Sequence, residues 1–169
     1  EKHGFVNARK HDSQDICFVP DGDYAKFIEQ YTGRKSIPGD FVDTEGNILG
    51  KHKGIIHYTL GQRRGLGIPA ASRLYVCDIS PKTNQVVLGN NEDLFHLELT
   101  ATKVNLISCE SLKEPMRLKA KIRYRHPEQE ALAWQTEDGV LHVRFDKPQR
   151  AITRGQAVVL YDGDIVVGG

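Results

Sequence analysis

Cysteine is scarce in this chain. Three thiols, Cys17, Cys77 and Cys109, are spread over 169 residues, and no two form a C-x-x-C pair. So odd and sparse a set argues against a disulfide scaffold and against a four-thiolate zinc site, and it fits a reducing setting such as the cytoplasm. No run of about 18 apolar residues exists, so no membrane-spanning helix is expected. The first residues, Glu1-Lys2-His3-Gly4, lack the apolar core of a signal peptide. None of the seven histidines has zinc-motif spacing with a cysteine, so no metal site is expected. No Gly-x-Ser-x-Gly elbow and no Gly-Lys-Ser/Thr phosphate loop is present. Net charge is also missing: 23 basic against 22 acidic residues leave +1.

What is present is a foldable composition, 39% apolar and 27% charged, with its charge unevenly distributed. Residues 11–45 hold eight acids and three bases. Residues 46–77 hold five bases and no acid, and residues 115–127 repeat that pattern. Two separated basic stretches in a neutral protein can bind a polyanion locally, or can be solvated faces. One helix is evident. Tyr24, Phe27, Ile28 and Tyr31 share a helical face, Asp21 or Asp23 can cap its start, and Gly33 can close it. The rest reads as strands, at 41–42, 48–49, 54–59, 74–79 and 85–89, then at 97–104, 116–125, 130–136, 140–145, 156–161 and 165–167. The fold class is therefore mainly β: a small α+β central domain followed by a small β-barrel.

Three segments carry candidate chemistry. In residues 116–125, Arg117, Lys119, Lys121, Arg123 and Arg125 alternate with Met116, Leu118, Ala120, Ile122 and Tyr124. On a continuous strand the five cations share one face, awaiting either phosphates or neighbouring acids such as Glu128, Glu130 or Glu137. Tyr124 falls on the apolar side of that pattern. The loop Gly61-Gln62-Arg63-Arg64-Gly65-Leu66-Gly67 is either a surface turn or a place where backbone approaches phosphate closely. Cys17 lies in a short apolar loop before the helix. Residue statistics favour an inert buried thiol there, a helix N-terminus favours an activated one, and the neighbouring aspartates oppose activation.

The run Asp12-Ser13-Gln14-Asp15-Ile16-Cys17-Phe18 resembles the D-S-Q-x-I-C-F signature of bacterial tRNA-specific 2-thiouridylases. The likeness continues through Gly50-Lys51-His52-Lys53-Gly54, the Gly61–Gly67 loop, Arg123-Tyr124-Arg125, Pro148-Gln149, Gly155-Gln156 and Gly168-Gly169. It implies the C-terminal portion of such an enzyme. Residues 1–21 would end the catalytic domain and carry the cysteine loop, 22–95 would form the central domain, and 96–169 a translation-factor-like barrel. The family's ATP-pyrophosphatase domain, with its Ser-Gly-Gly-x-Asp-Ser loop and second cysteine, has no counterpart here. ATP would be bound by that other domain, and this chain alone would be inactive.

The resemblance further implies a reaction. ATP adenylates the C2 oxygen of the tRNA wobble uridine, and a persulfide sulfur replaces it. Cys17 would carry the persulfide, delivered by a sulfur donor or relay protein and resolved as a disulfide with the second cysteine. Asp12 and Ser13 would shape its loop. Arg123, Tyr124 and Gln156 match family positions that touch tRNA. Arg125, Gln62, Arg63, Arg64, Lys51 and Lys53 are further candidates. A different class also fits the residues: a free-standing RNA-binding barrel module without chemistry.

Overall fold

The computed structural model describes Val19 and residues 22–169. Helix α1, Tyr24–Thr32, starts where the Asp23 carboxylate accepts the Lys26 backbone N–H at 3.0 Å. It ends at Gly33, whose φ of 66° is left-handed backbone that glycine adopts without a Cβ clash. Both boundaries agree with the caps read from sequence. The helix turns only Ala25 fully inward, while Tyr31 is 83% exposed.

Four strands follow: β1 (Gly39–Val42), β2 (Ile48–His52), β3 (Tyr75–Ser80) and β4 (Gln85–Gly89). They lie in the order β2-β1-β4-β3, with β1 parallel to β4 and the other pairs antiparallel. Phe41, Tyr58, Val76, Val86 and Leu88 fill the core of this half. The strand expected at 54–59 is instead a 3-10 turn over Ile55–His57. The His57 and Tyr58 N–H groups bond back to the Gly54 and Ile55 carbonyls, both at 3.2 Å. Three-residue spacing brings Ile55 and Tyr58 to the same core. Adjacent apolar residues after a glycine imitate a buried strand, which is why the sequence pattern points to one.

The second half has six antiparallel strands. These are β5 (Phe95–Ala101), β6 (Met116–Lys121), β7 (Gln129–Gln135), β8 (Leu141–Arg150), β9 (Val159–Asp162) and β10 (Ile165–Gly168). Their order is β10-β9-β6-β7-β8-β5. The chain beyond β5 closes the ring, because Ile107 N–H bonds the Val167 carbonyl at 2.8 Å and Asn105 N–H bonds the Gly169 carbonyl at 2.9 Å. Ala120, Ala131 and Ala133 let the walls approach Leu141, Phe145 and Leu160 inside. Strand β8 runs further than expected. Its residues 141–145 pair with β7, and Gln149 and Arg150 pair with the start of β5. Pro148 lies between those pairings, where no ladder bond needs its missing N–H.

The expected strand 116–125 stops at Lys121. Residues 123–126 form a turn, with His126 N–H bonded to the Arg123 carbonyl at 3.1 Å. Pro127 prevents continued pairing there. Leu118, Ala120 and Ile122 do face the core, but Tyr124 is 81% exposed and is no core residue. The five cations therefore do not form one stripe. Arg117 reaches across the sheet into a two-pronged pair with Asp146, both bonds 2.7 Å, rather than to Glu128, Glu130 or Glu137.

Candidate functional site

One end of the barrel carries four of the residues singled out from sequence. Arg123 leaves the end of β6 and its Nη2 donates to the Ala151 carbonyl and, at 3.3 Å, to Thr153 Oγ1. Thr153 Oγ1 donates in turn to the same carbonyl at 3.0 Å. Ala151 itself has a φ of 52°, an unusual conformation for alanine. The loop so held runs on to Gly155 and the exposed Gln156. A groove of about 680 Å³ opens beside it, lined among others by His96, Lys103, Ile122, Thr153 and Gln156. Tyr124 and Arg125 project from the adjoining turn, and Lys121 Nζ lies 6.0 Å from the Tyr124 ring centre. The groove itself offers the Lys103 and Arg154 cations and the Gln156 amide, and Arg123 is bonded to its Thr153 wall, a set suited to phosphate and ribose. The Tyr124 ring stands exposed on the neighbouring turn, where it could meet a base.

The glycine-rich loop lies in the other half. Its start is pinned to β3, with Gly61 N–H bonded to the Val76 carbonyl at 2.8 Å and Val76 N–H to the Gln62 carbonyl at 2.9 Å. Gln62 spends its side chain on the loop itself. Its Oε1 accepts from Thr59 N–H at 3.0 Å, and its Nε2 donates to the Arg64 carbonyl at 2.9 Å. Arg63 and Arg64 are exposed, and Arg63 shares a shallow cavity of about 360 Å³ with Ser72 and Arg73. Lys51 is paired with Asp40 at 2.6 Å, while Lys53 points to solvent. Arg63 and Arg64 thus have the geometry for an anion, Lys51 has a carboxylate already, and Gln62 is a brace.

The two halves meet at the end of β8, a region that the sequence reading did not single out for binding. The Arg150 guanidinium lies 5.7 Å from the Tyr75 ring centre, and its Nε donates to Asn91 Oδ1 at 3.4 Å. Ala151 N–H bonds the Leu94 carbonyl at 2.7 Å. Arg154 reaches Asp78 at 3.8 Å. No periodicity announces such a junction, because every partner lies dozens of residues away.

Cys17, Asp12 and Ser13 lie outside the described residues. Cys77 and Cys109 are half-buried free thiols. Burial, reinforced by the charge of Asp93, pushes the Cys77 thiol up to about 11, so it stays protonated at neutral pH. Among the described residues no cluster of three or more His, Cys, Asp or Glu side chains could hold a metal ion, and no helix is long and apolar enough to cross a membrane.

Comparison with known proteins bears on this geometry. Residues 25–90 match the model of the tRNA methyl transferase PRC-barrel domain, and residues 96–169 that of the aminomethyltransferase beta-barrel domain. The chain is 58% identical over 166 residues to a tRNA-specific 2-thiouridylase of Acetivibrio thermocellus, covering 98% of this chain and 46% of that protein. The same-named protein of Lachnoclostridium phytofermentans is 54% identical over 168 residues, covering 99% and 47%. That of Clostridioides difficile is 52% identical over 166 residues, covering 98% and 46%. The chain belongs to the tRNA-specific 2-thiouridylase family.

Within that family it corresponds to the C-terminal part, and it spans about half the length of the curated relatives it matches. A Ser-Gly-Gly-x-Asp-Ser loop occurs nowhere in its 169 residues.

Proposed function

We propose that this chain is the tRNA-holding and sulfur-carrying part of a tRNA 2-thiouridylase. The Gln156 amide on the wall of the barrel groove, the Arg123 guanidinium bonded to Thr153 of that wall, and the exposed Tyr124 and Arg125 that follow Arg123 in the chain carry the tRNA half of this reading. Guanidinium groups give phosphate contacts, and an exposed phenol ring can stack on a base. Arg63 and Arg64 extend the surface into the other half. ATP would activate the wobble uridine elsewhere in the longer enzyme, so no residue described here takes part in that step.

The sulfur half rests on Cys17, the one cysteine within the signature run. As a persulfide it would hold an outer sulfur that attacks C2 of the activated uridine as the adenylate leaves with the former C2 oxygen. A second thiol of the longer enzyme would then attack Cys17 Sγ, breaking the bond to that sulfur, supplying the two electrons and leaving a disulfide with Cys17. The Cys77 thiol is too weakly acidic for that work, since the thiolate is the reactive form.

The test uses the longer enzyme. Cys17→Ser should take 2-thiouridine formation to the detection limit, because a serine oxygen cannot carry a sulfane sulfur. Cys77→Ser and Cys109→Ser should leave it intact. Mass spectrometry of digested tRNA reads the product. Substantial activity in Cys17→Ser would remove the assignment.

A further inference from the structure

The basic stretches noticed in the sequence lie in different halves of the molecule, and the Arg150 side chain reaches from one half to the other. Arg150 ends β8 on the barrel side, paired in register with Phe95 of β5. Its half-buried guanidinium crosses to the other half. There it meets the Tyr75 ring of β3 at 5.7 Å and the Asn91 side chain at 3.4 Å. It also underlies the glycine-rich loop: a Cβ built on Gly61 would lie 3.1 Å from Arg150 Nη1 and 3.5 Å from the Ala151 Cβ. Gly61, at a φ of 80°, therefore lets that loop rest directly on Arg150. One residue further on, the Ala151 carbonyl receives Arg123. Three peptide units separate Arg150 from Thr153, at most about 11 Å of chain. The base of the Arg63–Arg64 loop and the guanidinium of Arg123 are thus both seated on the segment 150–153.

We infer that Arg150 is a positioning residue, a latch that sets the Arg63–Arg64 loop against the barrel so that the cations of both halves form one surface for tRNA phosphates. This rests on the tRNA-holding role proposed above. The Arg150 guanidinium is engaged within the protein on a ring face and a side-chain amide, so its own part is orientation. Two weak patches on one rigid body bind a polyanion far better than two loose ones, because the second contact becomes intramolecular. A planar guanidinium can lie on a ring face and donate sideways at once, which an ammonium group cannot copy in the same geometry.

The experiment measures binding of a tRNA transcript to the 169-residue chain over a series of salt concentrations, at a temperature where melting curves show each variant folded. In the parent chain, replacing Arg63 and Arg64 together by alanine should weaken binding about tenfold. It should also lower the salt slope by about 0.7–0.9 for each phosphate left without its cation. In an Arg150→Met background, which keeps the apolar stem, the same pair should cost less than about twofold, because the loop no longer meets the RNA in register. Tyr75→Leu removes the latch from its other side without changing any charge and should give the same loss of coupling. It also serves should Arg150→Met fail to fold. Equal cost of the loop arginines in the parent and latch-free backgrounds overturns the latch and leaves the tRNA-holding role standing. Absence of any salt-dependent tRNA binding by the parent chain overturns both.

Discussion

His52 illustrates how one side chain can hold several elements together. It is only 3% exposed, at the end of β2. Its Nδ1 accepts the Gly54 N–H at 3.0 Å, and its Nε2 lies 3.1 Å from the Asn84 carbonyl. A carbonyl can only accept, so Nε2 carries the proton, Nδ1 is bare, and the ring is neutral. Burial lowers its pKa below the ordinary 6.5, and the Lys51 charge adds to that, while the Asn84 carbonyl and Asp40 oppose it. The rings of Phe41 and Tyr58 close the remaining sides, edge-on at 5.4 and 5.6 Å. Protonation would require Nδ1 to give up the Gly54 N–H. The sign follows from linkage. With a folded pKa below the unfolded one, stability is full above about pH 6.5, declines as the pH falls below that value, and is lost as it passes the folded value. The melting temperature should therefore drop between pH 7.5 and pH 5.5, and His52→Gln should flatten that part of the curve. An unchanged pH profile in His52→Gln would show that another group titrates.

Among the elements, the caps and the alternating strands were legible in the sequence, and the departures have a common cause. Helix α1 could be bounded because Asp23 and Gly33 act within their own turn. The hairpin between β3 and β4 could be placed because Pro81-Lys82-Thr83-Asn84 carries its own turn chemistry, with Asn84 at a φ of 53°. The end of β6 could not be placed, because Arg123 is drawn aside by a carbonyl 28 residues away. Nor could the latch, the full length of β8, or the Gln62 brace, each of which depends on tertiary partners. Of the candidate site, the residue types proposed to face tRNA were readable, whereas which of them are exposed and which are internal struts was not. Glycines make the same point quantitatively. A Cβ on Gly39 would fall 2.0 Å from the Asn84 carbonyl oxygen, fixed backbone beside the parallel β1–β4 pairing. A Cβ on Gly50 would meet only the end of the Ile68 side chain, at 2.7 Å. Overpacking against something that cannot move costs about 1–3 kcal/mol or more. Gly39→Ala should therefore lower the melting temperature distinctly, and Gly50→Ala only slightly. The reverse order in thermal melts would contradict this packing.

Across the whole molecule, the proposed grip on tRNA would need groups that the protein does not use for itself, and by this measure the cations divide. Arg117 is committed to Asp146 and Lys51 to Asp40. Arg123 braces the Gln156 loop through Ala151 and Thr153, so its loss should disturb the groove as well as any phosphate contact. Arg125 is exposed on the same turn. Arg125→Ala should remove one phosphate contact and flatten the salt slope by about 0.7–0.9, without moving the melting temperature. Tyr124 carries no charge and stands well out of the barrel. Tyr124→Ala should weaken tRNA binding by about 1–3 kcal/mol as stacking disappears, at unchanged salt slope and unchanged melting temperature. Arg123→Ala should lower affinity, slope and melting temperature together. Titrations at several salt concentrations, paired with a melting curve for each variant, separate the three patterns. If all three variants bind as the parent does, the barrel end is a solvated surface, and the proposed hold on tRNA falls to the Arg63–Arg64 half alone.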